Sequence, residues 1–393
     1  MTRPQVASRS EVARGLRASV CAVMPRRGSL LYKKGFMRAA VAVGAVLWAG
    51  AVLAADARPC ARILFEPMPR LMLYGDTTRL GPKRPFAKDP TVIRHDGRYF
   101  MYYSECAYAR NRIPKGMPKY RTGWWGAIAT STNLVDWSRV DSINVEGAPK
   151  TVEWFAPCVK KFDGKIHLFA QGHDLRGIDL PKGKAAGKLS NPKTVWVLWH
   201  ATSDDGIHFR SETDKPAFIA NNEWSISRAI DAEVYRVGDR MMLMFATREY
   251  PDAKIQQLGM AWAEYGGRYG LADWHELSVK APFFKPEQPW EMKCIEAPTV
   301  IQRKGIWYMF YAGAYNHDHQ QIGVAWSADG VNFKRWRDEP VFPHGPAGSW
   351  NAWESGHPGI FEDDDWQVYL FYQGKAAQRG DYRLSCVKVR FED

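Results

Sequence analysis

The chain has 393 residues, 46% of them hydrophobic and 24% charged, a composition that suits a globular protein with a sizeable core. Its formal charge of +12 would point to nucleic acid if the charge were spread over the fold. It is not: residues 1–54 hold nine Lys or Arg and a single acid, Glu11, leaving 45 basic against 41 acidic residues beyond them, so nucleic acid is excluded as a partner.

Residues 1–54 read as an N-terminal extension and signal peptide. Arg26, Arg27, Lys33, Lys34 and Arg38 precede the apolar run 39–54, which is short for a membrane span and ends in the small residues that a signal peptidase reads. Export to the periplasm or outside the cell is expected, with no membrane partner after cleavage; an uncleaved anchor is the alternative. Beyond this segment stand Cys60, Cys106, Cys158, Cys294 and Cys386. Five scattered cysteines make neither a disulfide framework nor a zinc site, although one bridge has room to form.

From residue 89 onward one pattern recurs five times: DPTVIRHDGRYFMYYS from Asp89, APCVKKFDGKIHLFAQ from Ala156, DAEVYRVGDRMMLMFAT from Asp231, EAPTVIQRKGIWYMFYAG from Glu296 and GHPGIFEDDDWQVYLFYQG from Gly356. Each is a short apolar run, a polar turn and an aromatic-rich run, and Asp-Gly between two such runs is a hairpin signal. Four units continue into a second strand–turn–strand piece, such as GAIATSTNLVDWSRV and IGVAWSADGVNFKRW; the fifth ends in YRLSCVKVRFED. Fixed repeats of this kind predict a radial array. The expected fold is all-β, a five-bladed β-propeller over residues 55–393 with a four-stranded antiparallel sheet per blade. The outer strand missing from the fifth unit is expected from Ile63-Leu64-Phe65. A lone β-sandwich is the competitor; the absence of long helical periodicity argues against a TIM barrel.

In a propeller the first strand of every blade lines the central channel, so residues opening these strands meet in space. Here they are Asp89, Ala156 (after Trp154 and Phe155), Asp231, Glu296 and His357. Three crowded carboxylates split their pKa values, and glycosidic hydrolysis needs that split: one acid to protonate the leaving oxygen and one base to activate water.

The pattern over residues 85–393 resembles the five-bladed propellers of glycoside hydrolase family 43, with families 32, 62, 68 and 117 as more distant relatives. The resemblance implies that Asp89 in KDPTV is the general base and Glu296 in IEAPTV the general acid. Asp231 in AIDAEV would then tune and orient the acid. It also implies that Trp154 and Phe155, in EWFAPCV, line a sugar subsite, and that His357, in SGHPG, stands near a bound cation. No cofactor is required on this view, although a structural Ca2+ or Na+ in the channel is compatible with it. The Asn-Asp-Pro-Asn-Gly context of families 32 and 68 is missing, which favours the inverting branch. Family 117 propellers are close in layout but use a histidine where this chain has Glu296.

Arg228 and Arg248 stand where they could grip hydroxyls or an acidic group. Trp124, Trp125, Trp224, Trp290, Trp350 and Trp353 are candidates for stacking on sugar, and His317, Asp318 and His319 form a polar cluster. The expected function is inverting hydrolysis of plant or algal polysaccharide or oligosaccharide, with arabinofuranosides or xylosides as default substrates. A glycoside phosphorylase of the family 130 type and a non-catalytic sugar-binding propeller are the alternatives.

Overall fold

The repeated hairpins become sheets in the computed structural model, which describes residues 58–68, 73–74, 87–106, 124–173 and 196–393. The expected signal segment and its boundary at residue 54 lie outside the described residues. The first blade is formed by Ala87–His95, Arg98–Cys106, Trp124–Ser131 and Ser138–Ser142, and the second by Phe155–Phe162, Lys165–Gly172, Val197–Ser203 and Phe209–Arg210. Ile230–Val237, Arg240–Arg248, Gln256–Glu264 and His275–Glu276 make the third; Ile295–Arg303, Ile306–Gly313, Gln321–Ser327 and Lys334–Arg335 make the fourth. Each inner strand packs against the inner strand of the next blade, and the fifth returns to the first. The result is a five-bladed β-propeller.

The fifth blade, Glu354–Glu362, Val368–Lys375 and Arg383–Glu392, takes its outer strand from Arg62–Pro67. Ile63 lies opposite Phe391 and Phe65 opposite Val389 in an antiparallel pair, so the segment around Ile63-Leu64-Phe65 closes the ring as expected. Two blades exceed four strands. Val145–Glu146 adds a parallel edge to the second, and Leu73–Tyr74 pairs with the last strand of the fifth. Among the described residues the single helical piece is a turn at Pro289–Glu291, and no helix is long and apolar enough to cross a membrane.

Alternation along each strand sends successive side chains to opposite faces, so one blade feeds two interfaces. In the first blade Phe100 and Tyr102 face the second, meeting Leu168 and Trp199, while Met101 and Tyr103 face the fifth, meeting Phe371. The core is thus five apolar layers between neighbouring blades rather than one central mass. Each large side chain so buried contributes about 1.5–3 kcal/mol.

Where the strands converge on the axis, every inner strand breaks register at the same place. The shifts fall between Lys88 and Thr91, Phe155 and Cys158, Ile230 and Glu233, Glu296 and Thr299, and Gly356 and Gly359. The first residue inside each bulge is left-handed: Asp89 at φ 55°, Ala156 at 44°, Asp231 at 51°, Ala297 at 50° and His357 at 42°. Bulges re-aim side chains and end pairing, and here they turn one residue per blade toward the channel. Four of the five are followed by proline (Pro90, Pro157, Pro298, Pro358), which loses nothing at a position already unpaired. Gly359 is glycine for a steric reason, since a Cβ there would overlap the Pro90 carbonyl of the adjoining blade.

Candidate active site

Three of the five bulges are bound to the blades that precede them. The backbone N–H of Asp89 donates to Gln373 Oε1 at 3.2 Å, that of Ala156 to Ser104 Oγ at 2.8 Å and that of Asp231 to Gln171 Oε1 at 2.9 Å. Each acceptor sits on the second strand of the neighbouring blade, opposite the residue before that blade's own bulge. The strained backbone that aims the two aspartates is therefore held from the side, as left-handed non-glycine residues require.

Glu296 departs from the expected equivalence. It stands one place before the bulge, at the position of Lys88 and Ile230, and Ala297 is the true counterpart of Asp89 and Asp231. It still reaches the cluster, because a glutamate is one methylene longer and its partners come in from other strands. Gln320 Nε2 donates to Glu296 Oε1 at 2.7 Å, and Gln256 Nε2 donates to Oε2. A Cβ at residue 356 would collide with the Gln320 side chain, so Gly356 makes the room that brings Gln320 to the acid.

His357 lies between two carboxylates. Its Nδ1 is 2.7 Å from Asp89 Oδ1 and its Nε2 is 3.0 Å from Glu296 Oε1. Asp89, Asp231, Glu296 and His357 are all buried. The structure thus brings together the three expected acids and the expected histidine. The channel beneath holds a void of about 40 Å³ lined by the bulge residues, with room for water but not for a sugar, so a substrate must sit on the mouth above.

Charge sorts the four groups. Burial alone would lower His357, but Asp89 and Glu296 outweigh it and raise the imidazole to about 10. Burial would raise Asp89, yet Lys88, with Nζ 3.9 Å away, and His357 hold it well below the usual carboxylate range. Asp231 is pushed up to about 7 by burial and by the charges of Glu296 and Asp89. Burial also favours neutral Glu296, but the His357 charge and hydrogen bond win and lower it. The surroundings thus favour the neutral form of Asp231 and the charged forms of Asp89, Glu296 and His357.

Asp231, Glu296 and His357 each place one donor atom within 4.8 Å of the others, and among the described residues this is the one group with metal-like spacing. A calcium ion takes six to eight oxygens. Here two carboxylates share the site with an imidazole whose two ring nitrogens already face carboxylates, so His357 has no free nitrogen to offer and the two acids alone fall short of the donors such an ion takes.

Trp154 corrects an expectation. It is 2% exposed and packs edge-on against Trp199 in the layer between the first two blades, away from the channel void. Phe155 is equally buried, against Trp196 at 4.6 Å. Trp125, Trp224 and Trp290 each donate their indole N–H to a backbone carbonyl, and Trp350 packs on Tyr372; the Trp124 side chain lies outside the described residues. Trp353 lies flat on His319 at 3.8 Å, while His317 stacks on Tyr315, so the two histidines serve separate aromatic pairs. Arg248 donates from Nε to Gln256 Oε1 at 3.2 Å, which links it through Gln256 to Glu296.

The glutamines were not foreseen, although the sequence carries two signals for them. Gln256 and Gln320 head the matching segments QQLGMAW and QQIGVAW, and Gln171 and Gln373 each precede a glycine at the end of a second strand. A residue repeated at one blade position is either fold or site; here it is both. Lys88, Asn316 and Glu354 were also missed. Lys88 Nζ donates to Asn316 Oδ1 at 2.9 Å, and Glu354 Oε1 accepts from Gln373 at 2.6 Å.

Three comparisons bear on this site. The family model of glycosyl hydrolases family 43 matches residues 83–386. A crystal structure of a thermostable family-43 glycoside hydrolase shares the fold, with a TM-score of 0.58 and 17% identity over 84% of this chain and 94% of that one. The endo-arabinase of Bacteroides thetaiotaomicron VPI-5482 aligns with a TM-score of 0.52 and 15% identity over 80% of this chain and 96% of its own. In sequence, the 1,2-beta-oligomannan phosphorylase of Thermoanaerobacter sp. (strain X514) is 24% identical over 241 residues, 48% of this chain and 78% of that protein. With its five blades and a family match across nearly all of them, the chain belongs to glycosyl hydrolases family 43 and is a glycosidase acting on carbohydrate.

Proposed function

We propose that this glycosidase hydrolyses its substrate with inversion, with Asp89 as general base and Glu296 as general acid. The observation that carries the reading is the His357 ring standing between the Asp89 and Glu296 carboxyls. A whole imidazole separates them, which suits the roughly 6.5–9.5 Å of an inverting pair better than the 5–5.5 Å of a retaining one. Water attacks the anomeric carbon as Asp89 takes its proton. The glycosidic bond breaks and the leaving oxygen takes a proton from Glu296, which has received it from His357 Nε2 across their hydrogen bond. Asp231, pushed toward its neutral form by burial, limits the repulsion on Glu296. The substrate is a side chain of plant or algal polysaccharide or an oligosaccharide from it, with arabinofuranosides and xylosides first in line.

Asp89→Asn and Glu296→Gln are expected to lose at least about a thousandfold in kcat while keeping the wild-type circular dichroism spectrum. NMR of the first product anomer from an aryl glycoside is expected to show inversion. Full activity in either variant, or a retained anomer, ends this reading.

Phosphorolysis is the second reading, favoured by the similarity to a phosphorylase and by two arginines beside the acids that have no ion-pair partner among the described residues. Phosphate oxygen would replace water at the anomeric carbon, and Glu296 would again protonate the leaving oxygen. Turnover that requires inorganic phosphate and releases a sugar 1-phosphate would select it.

A further inference from the structure

We propose that Arg228 and Arg248 form a receptor for an oxyanion at the mouth of the channel, either a carboxylate carried by the sugar or free inorganic phosphate. The proposal rests on the reading of this mouth as the catalytic site, because the two arginines lie beside its acids.

The backbone puts them together. Residues 225–229 run against the end of the third blade's second strand: Ile226 N–H donates to the Arg248 carbonyl at 3.0 Å, and Ser225 pairs with Glu249. Ser227, next to Arg228, is held left-handed at φ 59°, a conformation that costs free energy and persists where the surroundings impose it. Neither arginine makes an ion pair with any described residue. Arg228 Nε is buried without a hydrogen-bond partner. Arg248 uses its Nε on Gln256 and lies over the Tyr315 ring at 5.2 Å.

Two guanidinium groups that cannot shed their protons and sit half-buried beside each other repel until an anion joins them. Burial, with Arg248 alongside, pushes Arg228 down to about 10 even though Asp231 and Glu296 pull the other way. The carboxylates supply a field but no contact. Paired forks of N–H donors match a planar carboxylate or a tetrahedral phosphate in a way that a sugar hydroxyl does not. The bound anion also acts on the reaction. Through Gln256, Arg248 is two hydrogen bonds from Glu296, and a negative charge placed there raises the Glu296 pKa, the direction its role as acid requires.

Calorimetric titration of the full chain with glucuronate and, separately, with inorganic phosphate tests the proposal. One of the two is expected to bind, and binding is expected to weaken about 10–100-fold in Arg228→Met and in Arg248→Met, the loss of a charge-assisted pair. Glucuronate binding assigns the anion to the sugar; phosphate binding assigns it to a co-substrate. Arg248→Lys, which keeps the charge and removes the fork, is expected to fall between wild type and Met and covers the case of a Met variant that does not fold. Failure of both probes to bind wild type at millimolar concentration, or equal affinity in wild type and folded variants, overturns it. Binding is read without turnover, so an enzyme that cleaves no glycoside can still bear out the receptor, and a hydrolase that binds neither anion refutes the receptor alone.

Discussion

Glu296 receives hydrogen bonds from Gln256, Gln320 and His357, and all three favour its ionised form. A charge-assisted hydrogen bond is worth about 1.5–3 kcal/mol, so removing one raises the carboxyl by about one to two pH units. Gln320→Ala is therefore expected to raise the Glu296 carboxyl by about one to two pH units, read from the pH dependence of its 13C chemical shift. An unmoved Glu296 would show that the Gln320 bond does nothing for the ionised form. At this scale the sequence disclosed the acids and His357 because they open recurring strands. It placed Glu296 one position wrong because the aligned unit began at the glutamate, whereas the bulge begins at Ala297. It put Trp154 in a subsite because an aromatic at a strand start reads the same whether it faces the channel or the layer between blades; its packing on Trp199 decides.

Strands two and three of the second blade carry a pair of histidines that chemistry does not need. His167 Nδ1 lies 3.0 Å from His200 Nε2, with Tyr269 edge-on to both rings. Burial lowers His167 to about 4 and His200 to about 3, from an ordinary 6.5. The unfolded chain therefore takes up protons near pH 6.5 that the folded blade refuses until near pH 4. Stability is complete above the unfolded value and is lost as pH falls through that window, by up to about 1.4 kcal/mol per pH unit for each histidine. Urea unfolding at pH 7.5 and pH 5 is expected to show the loss, and His200→Phe to shrink it; an unchanged slope in the variant would place the acid sensitivity elsewhere. The hairpins themselves were legible because Asp-Gly turns and alternating aromatics are local signals. The parallel edge at Val145–Glu146 and the pairing of Leu73–Tyr74 were not, since two-residue strands are defined by partners and not by pattern.

At the scale of the molecule, the ring is stabilised by five interfaces, one of which depends on Arg62–Pro67. Ile63 is 7% exposed and packs with Tyr308, Phe310 and Val389. Ile63→Ala is expected to cost about 2–5 kcal/mol, measured by urea unfolding. A chain beginning at residue 69 would leave residues 387–392 of that edge bare, and a melting temperature equal to that of the longer chain would show that the strand is dispensable. The fivefold count could be read because each unit repeats whole, and the closing strand because the last unit visibly lacked one.

That closure has a consequence for when the protein becomes an enzyme. Arg62–Pro67 has nowhere to dock until the last strand of the fifth blade exists, so a nascent chain can assemble four blades and still lack the clasp. Asp89 draws its backbone support from Gln373, in the blade made last. Asp89, the proposed base, is thus synthesised long before the residue that holds its backbone, and an unfinished chain lacks that support.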